Sequence, residues 1–82
     1  MKCNQDLLHR MKRLHGQMKG VLLMMENQEH CQDLVVQLKA IRANLDKTIS
    51  LITTENLQQI MLDNPKDKDA IQQAMNLIVK SR

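Results

Sequence analysis

The sequence predicts an all-α protein with three helices, of which the second is much the longest. Apolar residues recur at steps of three and four along most of the 82 residues, which is the period of an α-helix. The two glycines and one proline are too few for the many turns of a β-sandwich or barrel. Polar segments interrupt the apolar pattern at residues 27–29 and again around Asn64-Pro65.

The first helix is predicted over Gln5–Glu26, with Asn4 as its N-cap. Its apolar stripe consists of Leu7, Met11, Leu14, Met18, Val21, Leu22 and Met25. The polar segment at residues 27–29 is a short connection, and we expect Asn27 to be the N-cap of the second helix.

The second helix is expected to end before Asn64, because a residue that precedes proline is disfavoured in the helical region. Its stripe consists of Leu34, Leu38, Ile41, Leu45, Ile49, Ile52, Asn56 and Ile60. This predicts about 33 residues, or about 50 Å of helix. Asp67 is expected to cap a third helix that carries Ile71, Met75, Ile78 and Val79.

A helix of this length has more apolar surface than two shorter partners cover. Val36, Ala40 and Ala43 lie opposite its main stripe and are small enough for another helix to approach closely. A chain of this size buries only about 60% of its unfolded surface on its own. We therefore expect residues 1–82 to form one domain and an obligate oligomer. The alternative is a monomeric three-helix bundle whose second helix is partly exposed.

Composition excludes several function classes. The 12 Lys and Arg against nine Asp and Glu give a net charge of +3, which is compatible with a polyanionic partner. The absence of Phe, Tyr and Trp excludes aromatic stacking platforms for single-stranded nucleic acid. Two cysteines cannot build a disulfide framework. We see no signal peptide and no membrane span, so we expect a cytoplasmic protein with reduced thiols and no membrane partner.

Basic residues lie along the first helix. At 100° per residue, Arg10, Arg13 and Gln17 fall on one flank of its apolar stripe. Such a run is either a solvated helix face or a set of phosphate contacts, with Gln17 available for a phosphate or a base edge. The spacing alone leaves both alternatives open.

The same helix carries the pattern Arg-x-x-Arg-x-x-Gly-Gln-x-x-Gly, which resembles the signature of the CsoR/RcnR family of bacterial repressors. The residues of the pattern are Arg10, Arg13, Gly16, Gln17 and Gly20. The resemblance continues through Cys31 and residues 40–47 to the C-terminus. Residues 55–57 and 76–82 look most like the persulfide-sensing CstR branch.

The resemblance implies an antiparallel dimer of helical hairpins that assembles into a D2 tetramer. It also implies a repressor that binds double-stranded operator DNA and releases it when an effector arrives. Family DNA contacts correspond to Arg10, Arg13 and Lys47, and we add Gln17 from its place beside them. Nothing resembles a helix-turn-helix, so we expect readout of DNA shape and backbone.

The family's sensor positions correspond to Cys31, Asn56 and Ile60. Cys31 and Asn56 are about 38 Å apart along one helix, so they meet only if two second helices run antiparallel. This sequence departs from the family here: copper and nickel branches carry His or Cys at positions 56 and 60, and the persulfide branch carries a second Cys at position 60. Cu(I) or another metal would find only Cys31 as a strong ligand, and we expect no required cofactor.

The remaining thiol, Cys31, is expected to sense persulfide, polysulfide or another electrophile. A helix N-terminus favours its thiolate form, Glu29 and Asp33 oppose it, and His30 helps only when protonated. We hypothesise that Cys3 of the other subunit replaces the missing second cysteine. The alternatives are a buried, inert Cys31 and a frayed N-terminal thiol without a role.

Other function classes remain open at this point. The first is a metal-responsive or formaldehyde-responsive repressor of the same family. The second is a helical oligomer that does not bind DNA. The third is a small helical enzyme of the chorismate mutase kind. It would recruit Arg10, Lys39, Arg42 and Glu55, but no matching motif order is present, and we expect no enzymatic activity.

Overall fold

The computed structural model describes residues 4–81, and over that range every regular element is an α-helix. The helices are α1 (Gln5–Glu26), α2 (Cys31–Asp63) and α3 (Lys68–Lys80). With 33 residues, α2 is the longest. The predicted all-α class and the long second helix are confirmed.

Side-chain caps begin the first and third helices, as predicted. Oδ1 of Asn4 accepts a hydrogen bond from the backbone N–H of Leu7 at 2.9 Å. Oδ1 of Asp67 accepts one from the N–H of Ala70 at 3.0 Å. Each bond satisfies an N–H group that a helix N-terminus otherwise leaves without a partner. The caps thus explain why these helices begin where they do.

The connection between α1 and α2 corrects the prediction that Asn27 is the N-cap of the second helix. Asn27 is instead the C-cap of α1. Gln28 has a φ of 57°, and the N–H groups of Gln28 and Glu29 donate back to carbonyl groups of the last turn of α1 at 3.1 and 3.0 Å. This is a Schellman arrangement, in which a left-handed residue closes a helix. The N-cap of α2 is His30, whose side chain makes no capping hydrogen bond.

Both shorter helices pack on α2, and within residues 4–81 α1 and α3 do not contact each other. The core is correspondingly small. α1 buries Leu7, Leu14 and Val21, and α3 buries Ala74. Because the three buried residues of α1 follow one another at every seventh position, α1 meets α2 along a single narrow seam.

The two residues that α2 buries fully are threonines and not members of its apolar stripe. Thr48 and Thr53 are 1% and 5% exposed. Their hydroxyls donate to the carbonyl oxygens of Asn44, at 2.8 Å, and Ile49, at 3.0 Å. These bonds, one turn back along the helix, pair both hydroxyls where water is excluded.

The chain has the shape of a thin slab of 56 × 24 × 12 Å. Its radius of gyration is 16.9 Å, whereas a compact domain of this length has about 12 Å. It exposes 6844 Å² of surface, whereas a monomeric protein of this mass exposes about 5,000 Å². One chain therefore leaves uncovered much of the surface that a globular monomer would bury.

Large apolar side chains contribute strongly to that exposed surface. They are Leu8, Met11, Met18, Leu22, Leu23 and Met25 of α1, Val35, Val36, Leu38, Leu45, Leu51, Met61 and Leu62 of α2, and Met75, Leu77 and Val79 of α3. Over residues 4–81, no helix has the length and apolar character that crossing a membrane requires.

We expect the substitution Gly16→Ala to raise the free energy of unfolding by about 0.5–1 kcal/mol. Gly16 lies inside α1, and a Cβ atom added there would meet nothing within 4 Å. The higher helix propensity of alanine is then the main effect. Urea denaturation at fixed protein concentration measures the change. A loss of stability would contradict this expectation and would indicate that another chain approaches α1 at this position.

Candidate functional site

Polar and basic side chains lie together on one side of the α1–α2 hairpin. Arg10, Arg13 and Gln17 of α1 line a crevice of about 40 Å³ with Asn44 and Thr48 of α2. We call this surface the basic side. Arg10 is half-buried, while Arg13 and Gln17 are exposed. The structure thus brings together three of the residues that the sequence predicted to contact DNA.

The amide of Gln17 is held from the opposite helix. Nδ2 of Asn44 donates a hydrogen bond to Oε1 of Gln17 at 3.4 Å. This uses one of the two lone pairs of the Gln17 oxygen and leaves its NH₂ group as a donor for a phosphate or a base acceptor. Lys47 is exposed and follows Asn44 by three residues on α2. At 100° per residue the two lie about 60° apart, so Lys47 extends the basic side without lining the crevice.

A wider groove of about 660 Å³ adjoins the basic side toward the N-terminus of α1, and the carboxylates of Asp6 and Glu55 line it together with Arg10. Arg10 lines both the groove and the crevice. Asn4 and Glu55 lie across this groove from each other, and Nδ2 of Asn4 donates to Oε2 of Glu55 at 3.0 Å. The contact places the start of α1 beside the second half of α2, so the first two helices form a hairpin, as the resemblance implies.

The opposite side of the hairpin is apolar. Its pocket of about 190 Å³ is lined by Met11, Leu14, His15, Met18, Ile41 and Leu45. Met18 is 56% exposed, and Leu38 continues the exposed strip along α2. We call this surface, with Met11, Met18, Leu38 and Leu45 at its centre, the apolar side. His15 belongs to it and not to the basic side.

Cys31 is the first residue of α2 and is exposed. It follows His30, the N-cap, which is also exposed. The alternative of a buried, inert thiol is therefore excluded for the single chain. The side chain of His30 makes no capping hydrogen bond, but its carbonyl oxygen accepts from the N–H of Asp33 at 3.0 Å, so Cys31 lies in the first turn of a helix that has no side-chain cap.

Asn56 and Ile60 lie far from Cys31 within the chain. α2 is continuous from Cys31 to Asp63, so about 38 Å of helix separates Cys31 from Asn56. Both Asn56 and Ile60 are half-buried. At 100° per residue the three positions lie within about 40° of one another, on the flank of α2 that carries Leu38. The structure thus places all three positions on one flank without bringing them together.

The prediction for Cys3 lies outside the described residues.

The single chain does not test the prediction that no metal is required, but it shows whether side chains that could bind a metal lie close together. Within residues 4–81, no group of three or more His, Cys, Asp and Glu side chains is placed to hold a metal ion.

The sequence did not predict which residues of α2 lie beside the basic residues of α1. Asn44 and Glu55 fall within the segments that carry the family resemblance, and Thr48 lies outside them, but no contact of these three residues with α1 was expected. The one sequence feature that indicated a polar face here was the pair of hydrogen-bonding side chains at positions 44 and 48, which lie one helical turn apart. Their partners depend on how the two helices rotate against each other, which periodicity leaves undefined.

Comparison with known proteins identifies relatives over nearly the whole chain. A family model described as metal-sensitive transcriptional repressor matches residues 3–80. The copper-sensing transcriptional repressor CsoR of Bacillus subtilis (strain 168) is 27% identical over 77 residues, which are 94% of this chain and 76% of CsoR. The uncharacterized protein YrkD of the same organism is 35% identical over 63 residues, which are 72% of this chain and 100% of YrkD.

A solved structure has the same fold. The nickel-responsive transcriptional regulator InrS superposes with a TM-score of 0.74 and 22% sequence identity, covering 98% of this chain and 89% of the InrS chain. At this level of identity the likeness establishes the arrangement of the helices and nothing about the ligand.

Proposed function

Because the chain belongs to the family of metal-sensitive transcriptional repressors, we propose that it binds operator DNA through its basic side and releases the DNA when Cys31 is modified. The matched relatives of known function are regulators of transcription and not enzymes, so the helical mutase alternative is excluded. The observation that carries the proposal is the separation of the two sides of the α1–α2 hairpin. Arg10, Arg13 and Gln17 share one crevice, and Cys31 lies on the flank of the apolar side.

The basic side supplies the sequence-independent part of DNA binding. Arg10 and Arg13 line the crevice of the basic side, Lys47 is exposed beside it, and each occurs once in every subunit. Because each phosphate that is neutralised releases counterions, affinity summed over several subunits falls steeply with salt. The donor group of Gln17 adds a contact to a phosphate or to a base edge.

A second copy of the chain covers the apolar side in the proposed assembly. Met18, Leu38 and Leu45 are 56%, 50% and 42% exposed, and neighbouring exposed apolar side chains of this kind mark interaction surfaces. Two α2 helices that run antiparallel across a two-fold axis near Asn44 and Leu45 bury this patch on both copies. Exposed apolar residues outside this patch, such as Val36 and Leu62, provide surface for pairing dimers into a tetramer.

The antiparallel pairing also forms the sensor site. It places Cys31 of one protomer opposite Asn56 and Ile60 of its partner, since these positions share one flank and lie symmetrically about the two-fold axis. His30 borders the same site. An adduct on Cys31 then adds bulk or charge at a packed interface, where small changes shift the equilibrium between two arrangements.

The proposed reaction is transfer of sulfane sulfur. The Cys31 thiolate attacks the outer sulfur of a low-molecular-weight persulfide, so a new S–S bond forms on Cys31, the S–S bond of the donor breaks, and the donor leaves as a thiolate. In the extended hypothesis, the Cys3 thiolate then attacks the inner sulfur of the Cys31 persulfide and expels hydrosulfide. The product is a disulfide between the two cysteines.

A metal response is the second candidate, because the family description and the relatives CsoR and InrS concern metals. The proposed site offers one thiolate, from Cys31, the amide of Asn56 and, at its border, the imidazole of His30. Cu(I) prefers thiolate and imidazole ligands, but Ile60 supplies no ligand atom, and within residues 4–81 no group of three or more His, Cys, Asp and Glu side chains is placed to hold a metal ion. These residues do not complete a site for a tightly bound metal ion, so we assign no step to one.

We expect Arg13→Glu to weaken operator binding by about tenfold or more, because the charge change is repeated in every subunit. Fluorescence anisotropy at several salt concentrations, with DNA from the promoter upstream of this protein's own coding sequence, measures affinity and the salt slope. Lys66→Glu, in the turn between α2 and α3, makes the same charge change away from the basic side and is expected to bind as the wild type does. Unchanged affinity of Arg13→Glu, with helicity retained, would remove Arg13 from the interface.

We expect sodium tetrasulfide to lower the operator affinity of the wild type by about tenfold or more, a typical size of allosteric coupling. Cys31→Ala is expected to bind DNA with the affinity of the wild type and to keep that affinity when tetrasulfide is added. Cys3→Ser is the matched control: it keeps the adduct on Cys31 but loses the covalent dimer in non-reducing mass spectrometry. Release of Cys31→Ala by tetrasulfide, or release of the wild type by Cu(I) alone, would contradict the proposed sensing.

A further inference from the structure

Asn4 makes two side-chain hydrogen bonds at once. Its Oδ1 accepts from the N–H of Leu7 at 2.9 Å, which caps α1, and its Nδ2 donates to Oε2 of Glu55 at 3.0 Å. Aspartate caps a helix about as well as asparagine does, but it has no donor to offer a carboxylate. Asparagine at position 4 can therefore both cap α1 and donate a hydrogen bond to Glu55, whereas aspartate could only cap the helix.

Few polar links join the first helix and its cap to α2. Within residues 4–81, two hydrogen bonds between side chains make this connection: Asn4 to Glu55 at 3.0 Å and Asn44 to Gln17 at 3.4 Å. The rest of the contact is the apolar seam of α1. Apolar contacts are non-directional, whereas a hydrogen bond of 3.0 Å to a carboxylate defines both distance and direction.

The Asn4–Glu55 pair lies between the two sites of the proposed function. Glu55 is half-buried and directly precedes Asn56 on α2. Asn4 begins the helix whose next two turns carry Arg10 and Arg13. Arg10 lines the groove that holds Asn4 and Glu55 and also the crevice that holds Arg13.

We infer that Asn4 and Glu55 are positioning residues that transmit modification of Cys31 to the DNA-binding side chains. The inference rests on the proposed function. An adduct opposite Asn56 displaces this part of α2, and Glu55 moves with it because both belong to one continuous helix. The hydrogen bond to Asn4 then carries the start of α1 along, which changes the direction of Arg10 relative to DNA.

Three proteins test this inference: the wild type, Asn4→Asp and Glu55→Gln. Asn4→Asp keeps the cap of α1 and removes the donor. Glu55→Gln removes the charge but keeps an oxygen that accepts from Asn4. The measured quantity is the ratio of operator dissociation constants with and without sodium tetrasulfide. A direct effect of either substitution on DNA affinity cancels in this ratio, and circular dichroism and solution mass check the fold and the assembly.

We expect Asn4→Asp to reduce the ratio at least about threefold and Glu55→Gln to keep it close to that of the wild type. A ratio for Asn4→Asp equal to that of the wild type would overturn the inference and leave the proposed function intact. An equal loss in Glu55→Gln would overturn it too, because charge and not the hydrogen bond would then matter. A wild-type ratio of one would overturn both the inference and the proposed thiol response.

Discussion

The architecture depends on one constraint: α2 has more apolar surface than its own chain covers. α1 meets it along a narrow seam, and the slab is only 12 Å thick in its smallest dimension. Buried apolar surface contributes about 25 cal/mol per Å², so the uncovered strip favours association strongly. The positions of Cys31, Asn56 and Ile60 lie on the flank that carries this strip. In the proposed assembly, the surface that holds the subunits together is therefore also the surface on which the thiol reacts.

In the proposed assembly, DNA binding and thiol sensing therefore use opposite sides of a thin molecule. In that assembly, Arg10, Arg13 and Gln17, which share one crevice, lie on the side that stays accessible, while the thiol lies on the side that a second copy covers. A signal then has to cross only the thickness of one helical layer. α2 is suited to this because it is continuous over 33 residues and contributes to both sides. The two polar links from the α1 segment to α2 are, in the proposed account, what passes a displacement of α2 on to Arg10, Arg13 and Gln17.

The helices were predictable from sequence because long periodic stripes and side-chain caps are local signals. Asn4 and Asp67 cap their helices as their chemistry indicates. Asn27 was assigned to the wrong helix because the left-handed residue that closes α1 is Gln28, where glycine would be the usual signal. Likewise, the partners of Glu55 and Asn44 depend on the rotation of two helices against each other, which a helical period does not specify. The sensor positions were placed by resemblance, and within one chain the continuous helix α2 holds Cys31 about 38 Å from Asn56.

Antiparallel pairing of α2 is tested most directly by oxidative cross-linking of Asn56→Cys in a Cys3→Ser background. Cys31 and the thiol introduced at position 56 are about 38 Å apart within one chain, so a bond between them has to join two chains. The proposed pairing predicts a covalent dimer whose digest contains this mixed linkage. Links between identical positions, Cys31 to Cys31 or 56 to 56, would indicate parallel helices and contradict the shared site, as would a protein that stays monomeric.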